Sequence, residues 1–178
     1  MVLLNTIYYL LPAMVANGAP VLVKRGHPID HGVNLRDGKR IFGDGKTVEG
    51  FLFGVFSGTV ISYGEYVFNR HLSQLLIGVS LSIGALIGDL VGAFIKRRLG
   101  LPRGHPAPLL DQLDFVLGAY FVSGAFNYIV GNNFTVFGDM IPPLLQLQIV
   151  ITSLYIIPLI HLAANIGAYI LRLKQTPW

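Results

Sequence analysis

The sequence contains no cysteine, which excludes disulfides and thiolate chemistry. Charge is scarce as well: Asp, Glu, Lys and Arg make up 12% of the 178 residues, against 53% hydrophobic. Almost nothing is left from which to build a soluble domain. There is no internal repeat and no low-complexity run. No basic segment precedes the first apolar stretch, and Asn5, Pro12, Asn17 and Pro20 within it suit a cleaved leader poorly. That stretch reads as a retained helix.

What is present is long apolar runs. A stretch of about 18 or more hydrophobic residues is long enough to cross the hydrocarbon of a bilayer as a helix. Five qualify: roughly Val2–Val23, Phe51–Phe68, Leu72–Ile95, Phe115–Val130 and Ile141–Leu171. The expected fold is therefore an all-α integral membrane protein of about five transmembrane helices, with residues 1–178 as a single polytopic domain. Two loops, about residues 24–50 and 96–112, are its only sizeable polar parts. The last run exceeds one span, and Pro142, Pro143 and Pro158 suggest an interfacial start and a kink in it.

Basic residues set the expected orientation. Lys24, Arg25, Arg36, Lys39, Arg40 and Lys46 fall in the first loop, Lys96, Arg97, Arg98 and Arg103 in the second, and Arg172 and Lys174 in the tail. Arg70 alone is left for the opposite side. The positive-inside rule puts both loops and the C-terminus in the cytoplasm and the N-terminus outside a cell membrane. The net charge of +4 thus suits a membrane surface and an anionic substrate. Nucleic acid is not indicated, because the basic residues are not interleaved with stacking aromatics.

Small residues recur every four positions in two of the helices: Gly50, Gly54, Gly58 and Ser62, then Ser80, Gly84, Gly88 and Gly92. Such seams let helix backbones approach closely in lipid. They suit packing within one chain or between the protomers of a homodimer. Asp89 follows Gly88, so the seam draws a carboxylate into the bundle, roughly 10 Å below Lys96 along the helix.

Carboxylates near lipid are costly and seldom idle. Asp89, Asp111 and Asp114 lie around the basic cluster Lys96-Arg97-Arg98 and a Pro/Gly-rich link containing His105. Hard divalent cations take oxygen ligands, and Mg²⁺ is usually held by a few carboxylates plus substrate phosphates. These three aspartates are the candidate Mg²⁺ ligands. One or two of Lys96, Arg97 and Arg98 are candidate polyphosphate ligands, although basic residues at a helix end also follow from the positive-inside rule alone. The alternative is that Asp111 caps the fourth helix and Asp114 pairs with Lys96 or Arg97. In the first loop, Gly45-Lys46-Thr47 resembles the end of a phosphate-binding P-loop, but that motif needs Gly where Arg40 stands. A simpler anion site remains: glycine-freed N–H groups, the Lys46 charge and the start of the second helix. An ordinary juxtamembrane turn explains these residues equally well. His161 is expected as a hydrogen-bonded interior residue, and Glu65, beside Tyr63 and Tyr66, as an interface carboxylate.

The order Asp89-(x6)-Lys96-Arg97, a Gly/Pro/His loop, then Asp111-(x2)-Asp114 resembles the signature of the CDP-diacylglycerol synthase superfamily. Gln112 stands where that signature usually has Arg, and its glycine-histidine run is reduced to Gly104-His105-Pro106. The short chain, with Ala16-Asn17-x-x-Pro20-Val21-Leu22, Pro28-Ile29-Asp30, Asp37-Gly38-Lys39-Arg40-Ile41-Phe42-Gly43 and Lys46-Thr47-x-x-Gly50, is similar to the archaeal branch, the CDP-archaeol synthases. The resemblance implies Mg²⁺-dependent transfer of CMP from CTP to the phosphate of an isoprenoid ether lipid, unsaturated archaetidic acid, with pyrophosphate released. It implies metal-binding roles for Asp89, Asp111 and Asp114. It also implicates Asn17, Lys46, Thr47, Lys96 and Arg97 in the nucleotide or lipid phosphate site, facing the cytoplasm. Two other readings are a CDP-diacylglycerol synthase acting on phosphatidic acid and a small transporter using Asp89 and Asp114 as an ion path. A CDP-alcohol phosphotransferase is disfavoured, since Asp37-Gly38 continues Lys-Arg-Ile-Phe instead of that family's usual start.

Overall fold

A computed structural model describes residues 1–102, 104–105, 107–130, 135–136, 139–140 and 143–173. Arg103, Pro106, Ile141, Pro142 and Lys174 lie outside the described residues. Five long helices dominate: α1 (Val2–Gly18), α2 (Val48–Asn69), α3 (Leu72–Arg98), α4 (Pro108–Val130) and α5 (Pro143–Ile170). Each contains a segment long and apolar enough to cross a membrane. A two-stranded antiparallel hairpin, β1 (Thr135–Val136) and β2 (Asp139–Met140), lies between α4 and α5.

Local chemistry explains the ends. Beyond Gly18 the first helix tightens into a 3-10 turn, Ala19–Leu22, with Pro20 near its start. Pro20 has no N–H to continue an α-helical ladder. Thr47 caps α2, its Oγ1 accepting from the N–H of Gly50 at 3.1 Å. At the other end Arg70 takes a left-handed conformation, φ 59°, and turns the chain into α3. The α4 helix opens on Pro108, whose fixed φ suits a first helical position. The α5 helix continues through Pro158.

The α3 helix is the centre of the bundle: 56% of its span is buried, against 17% to 39% for the other four. It packs against α1, α2 and α4, while α5 lies on α1 and α4. The small-residue seams make this possible. A Cβ at Gly54 would lie 2.6 Å from the Ala16 carbonyl oxygen of α1, and one at Gly88 would overlap the backbone of Asp114 in α4. Around these contacts Leu10, Leu81, Phe115, Val116, Ile149 and Ile157 form a buried apolar core.

Glu65, four residues from the end of α2, is turned into the bundle. It is buried on α2, near Tyr8 and hydrogen-bonded to Gln74, and Gln74 in turn accepts from Asn69 at 3.2 Å. An amide-and-hydroxyl cluster, invisible in local sequence, supplies its polar surroundings.

Candidate functional site

The 23–47 connection is a folded strap built around Asp30. This aspartate, 5% exposed, accepts from Arg40 Nη2 at 2.5 Å and Nε at 3.2 Å, and from the N–H groups of Gly32, Phe42 and Gly43 at 2.8–3.2 Å. Burial alone would raise its pKa, but these donors outweigh it and hold the carboxyl well below the ordinary carboxylate range. Arg40 also pairs with Asp44 at 2.6 Å.

The strap is fastened to the end of α3. Both oxygens of Asp37 accept from Arg98 at 2.6 Å, Arg98 also donates to the carbonyls of Lys39 and Arg40, and Lys39 Nζ donates to the Arg98 carbonyl at 2.9 Å. The Arg98 guanidinium additionally lies 5.2 Å from the centre of the Phe94 ring. Arg98 is thus a strap anchor, a role missed by sequence reasoning, which read the Lys96-Arg97-Arg98 cluster as orientation signals with one or two candidate polyphosphate ligands among them.

Docking the strap carries Lys46 to Asp89, with Nζ 2.5 Å from Oδ2. The two partners line a cavity of about 340 Å³ together with Gly45, Thr47, Lys24 and Arg25. The 3-10 turn after α1, the start of α2 and the middle of α3 supply its apolar wall through Pro20, Phe51 and Leu86. Asp89, Gly45, Lys46 and Thr47, all expected at the site, are therefore brought together. Lys24 and Arg25 were read only as orientation signals; their place directly after the first apolar run was the clue.

Asp114 approaches from α4. Its carboxylate fits beside Gly92, where an added Cβ would fall 2.9 Å from Cγ, and Oδ1 accepts from the N–H of Phe115 at 2.7 Å. Asp89, Lys46 and Lys96 all lie within electrostatic reach of it. Asp111 is differently placed: Oδ1 meets Lys96 Nζ at 2.5 Å and Oδ2 accepts from the N–H of Ala107 at 2.9 Å. Asp111 thus lies inside the first turn of α4 and accepts from the residue that precedes the helix, so it is not the N-cap, and Lys96 pairs with Asp111 where the alternative had Asp114.

Other expected residues stand apart from the cavity lining. Asn17 is in the last turn of α1, and Arg97 leans toward Gly43 of the strap. His105 is exposed in the α3–α4 link, its N–H donating to the Pro102 carbonyl at 3.2 Å. His161 packs against Phe115, ring centres 5.3 Å apart, as an interior residue of α5.

The donor set can be tested against Mg²⁺. Among the described residues no three His, Asp or Glu side chains gather around one point, and both oxygens of Asp111 are engaged. Asp89 and Asp114 remain as neighbouring hard-oxygen donors, with lysine ammonium groups supplying positive charge beside them. Two carboxylates completed by substrate phosphates match the usual Mg²⁺ arrangement. The residues fit an ion that arrives with a phosphorylated ligand, and fit a preformed three-carboxylate cage less well.

Comparison with known proteins gives one consistent answer. The family model for CarS-like CDP-archaeol synthase matches residues 1–178. A protein named CDP-archaeol synthase from Pyrobaculum arsenaticum is 47% identical over 170 residues, covering 94% of this chain and 93% of that protein. Its counterpart from Aeropyrum pernix is 42% identical, with 99% and 92% covered. A solved structure of an intramembrane enzyme for archaeal membrane lipid biosynthesis superposes with a TM-score of 0.71 at 42% identity, covering 90% of this chain and 92% of that one. On its sequence, its helical architecture and these relatives, the chain belongs to the CDP-archaeol synthase family.

Proposed function

We propose that this chain transfers CMP from CTP to unsaturated archaetidic acid, 2,3-bis-O-geranylgeranylglycerol phosphate, giving CDP-archaeol and pyrophosphate. The observation that carries the reading is the Lys46–Asp89 contact of 2.5 Å in a cavity lined by a glycine- and lysine-bearing strap. It joins an anion-binding loop to a carboxylate pair at one end of a membrane bundle.

A lipid phosphate oxygen attacks the α-phosphorus of CTP, forming a new P–O bond. The bond from that phosphorus to the bridging oxygen breaks, and pyrophosphate leaves with the electron pair. The nucleophile needs no strong base, because a phosphate monoester has its second ionisation near pH ~6. What opposes the reaction is the approach of two anions. Lys46 and Lys96 lower that repulsion, and the Gly45 and Thr47 backbone orients the nucleotide phosphates. Asp89 and Asp114 would hold Mg²⁺, with Asp111 keeping Lys96 in place. When bound, the ion supplies charge neutralisation on the transferring phosphoryl group. The positive-inside rule supports a cytoplasmic position for this end of the bundle, where CTP is available.

The test is incubation of the purified protein in liposomes with labelled CTP, Mg²⁺ and archaetidic acid, following CDP-lipid and pyrophosphate. Product formation that stops on chelation and returns with Mg²⁺ is expected. Phosphatidic acid run in parallel measures the preference between ether and ester lipids. Folded protein that makes no CDP-lipid from either would overturn the reading.

A further inference from the structure

We propose that Lys24 and Arg25 form the binding site for the phosphate of the acceptor lipid, an inference that rests on the transferase reading above. Both residues line the same cavity as Lys46 and Asp89. Their situations differ. The side chains of Lys46 and Asp89 are only 26% and 24% exposed, whereas Lys24 and Arg25 are exposed at the mouth.

Depth separates the two anions of the reaction. The first apolar span ends at Leu22, so Lys24 and Arg25 follow it directly at the level of lipid headgroups. A phosphomonoester on a diether glycerol is tethered to that level by its hydrocarbon chains, while a soluble nucleotide is free to go deeper. Apolar surface continues from the same place: Leu22 is 55% exposed, and Val48 and Leu52, at 39% and 62%, lie on the helix that packs against its turn. Lipid chains can leave the mouth along these residues without crossing water.

Charge bookkeeping agrees. Lys46, Lys96, Arg40 and Arg98 are already paired with Asp89, Asp111, Asp30 and Asp37. Lys24 and Arg25 line the cavity with no ion pair among the described residues. They can meet an incoming dianion without first breaking a salt bridge. A phosphate of CTP has the same chemistry as that dianion, so the experiment must separate the two.

Steady-state kinetics of the full chain in liposomes, varying archaetidic acid at saturating CTP and then the reverse, makes the separation. For K24A/R25A the KM for the lipid should rise about tenfold or more, as loss of charge-assisted hydrogen bonds predicts. The KM for CTP should stay within about twofold, and CTP binding measured calorimetrically without lipid should be unchanged. The charge-preserving K24R/R25K should recover most of the lipid affinity. A raised CTP KM with weakened CTP binding would assign the pair to the nucleotide and overturn the inference. Unchanged constants for both substrates would reduce the pair to orientation signals and overturn it equally. If K24A/R25A fails to fold, R25A alone is read by the same criteria. A wild-type protein without turnover would instead remove the transferase reading, and this inference with it.

Discussion

Lys46 and Asp89 are 43 residues apart in sequence, yet the Lys46 ammonium lies 2.5 Å from the Asp89 carboxylate. One comes from the strap and the other from the most buried helix, so the contact exists only when the strap is docked on α3. Each partner balances the other's charge inside a partly apolar cavity, and under the proposed reaction each would be released by a polyphosphate entering with its counter-ion.

From this follows a paired test of the site. Lys46→Met should lower kcat/KM by about 10²–10³-fold, the usual loss when a group that stabilises transition-state charge is removed. Asp89→Asn should be at least as inactive while retaining the wild-type elution profile and helical content. Rates of CDP-lipid formation by the two variants check this, and near wild-type turnover by Asp89→Asn would remove it from the site.

The strap should be acid-sensitive in a defined direction. Asp30 has its pKa lowered in the folded protein, so its contribution to stability is fully present above the unfolded carboxylate value of about 4. That contribution is lost as pH falls below this value toward the folded pKa. Limited proteolysis between residues 31 and 45 should therefore accelerate on acidification below pH ~4. In Asp30→Asn the cleavage should already be fast at neutral pH and largely independent of acid. Asp30→Ala should lower Tm by about 5–10 °C, because it strands Arg40 and several backbone donors. Cleavage as slow in Asp30→Asn as in wild type would show that the carboxylate does not organise the strap.

Much of the bundle was legible because helix length, glycine spacing and the bunching of charge are local properties of sequence. The five spans and the Gly54 and Gly88 approaches follow from such patterns, whereas only the family resemblance put Asp89 and Lys46 at one site. The strap was not legible in the same way. Asp30 and Arg40, or Asp37 and Arg98, are ordinary loop charges until tertiary contact joins them across 10 and 61 residues. The partner of Glu65 was hidden for a related reason: Gln74 lies on another helix, and periodicity along α2 says nothing of it. Asp111 looked like Asp114 because the two share a helix, but only the fold reveals that Lys96 and the Ala107 N–H occupy it.

Arg98 offers a test that separates anchoring from substrate binding. Arg98→Lys keeps the charge but loses the paired contacts with Asp37, since a lysine ammonium does not reproduce a guanidinium fork. Exposure of the strap to protease should increase, and the KM for CTP should rise several-fold through poorer placement of Lys46. Asp37→Ala should copy both effects, and the double variant should be no worse than either single one. Additive losses in the double variant would instead mean that Arg98 touches substrate directly.

The glycine seam predicts opposite outcomes for the same chemical change. Gly88→Ala drives a methyl group into the Asp114 backbone, where neither helix can yield without separating α3 from α4. It should destabilise the protein by about 1–3 kcal/mol, the range for overpacking a close contact. It should also depress activity, because Asp114 moves with the displaced helix. Gly64, on α2, has nothing within 4 Å of an added Cβ, so Gly64→Ala should cost nothing and gain up to ~1 kcal/mol from helix propensity. Thermal unfolding in the same detergent ranks the two variants directly. Equal stability of Gly88→Ala and Gly64→Ala would mean that the α3–α4 contact does not depend on the missing side chain.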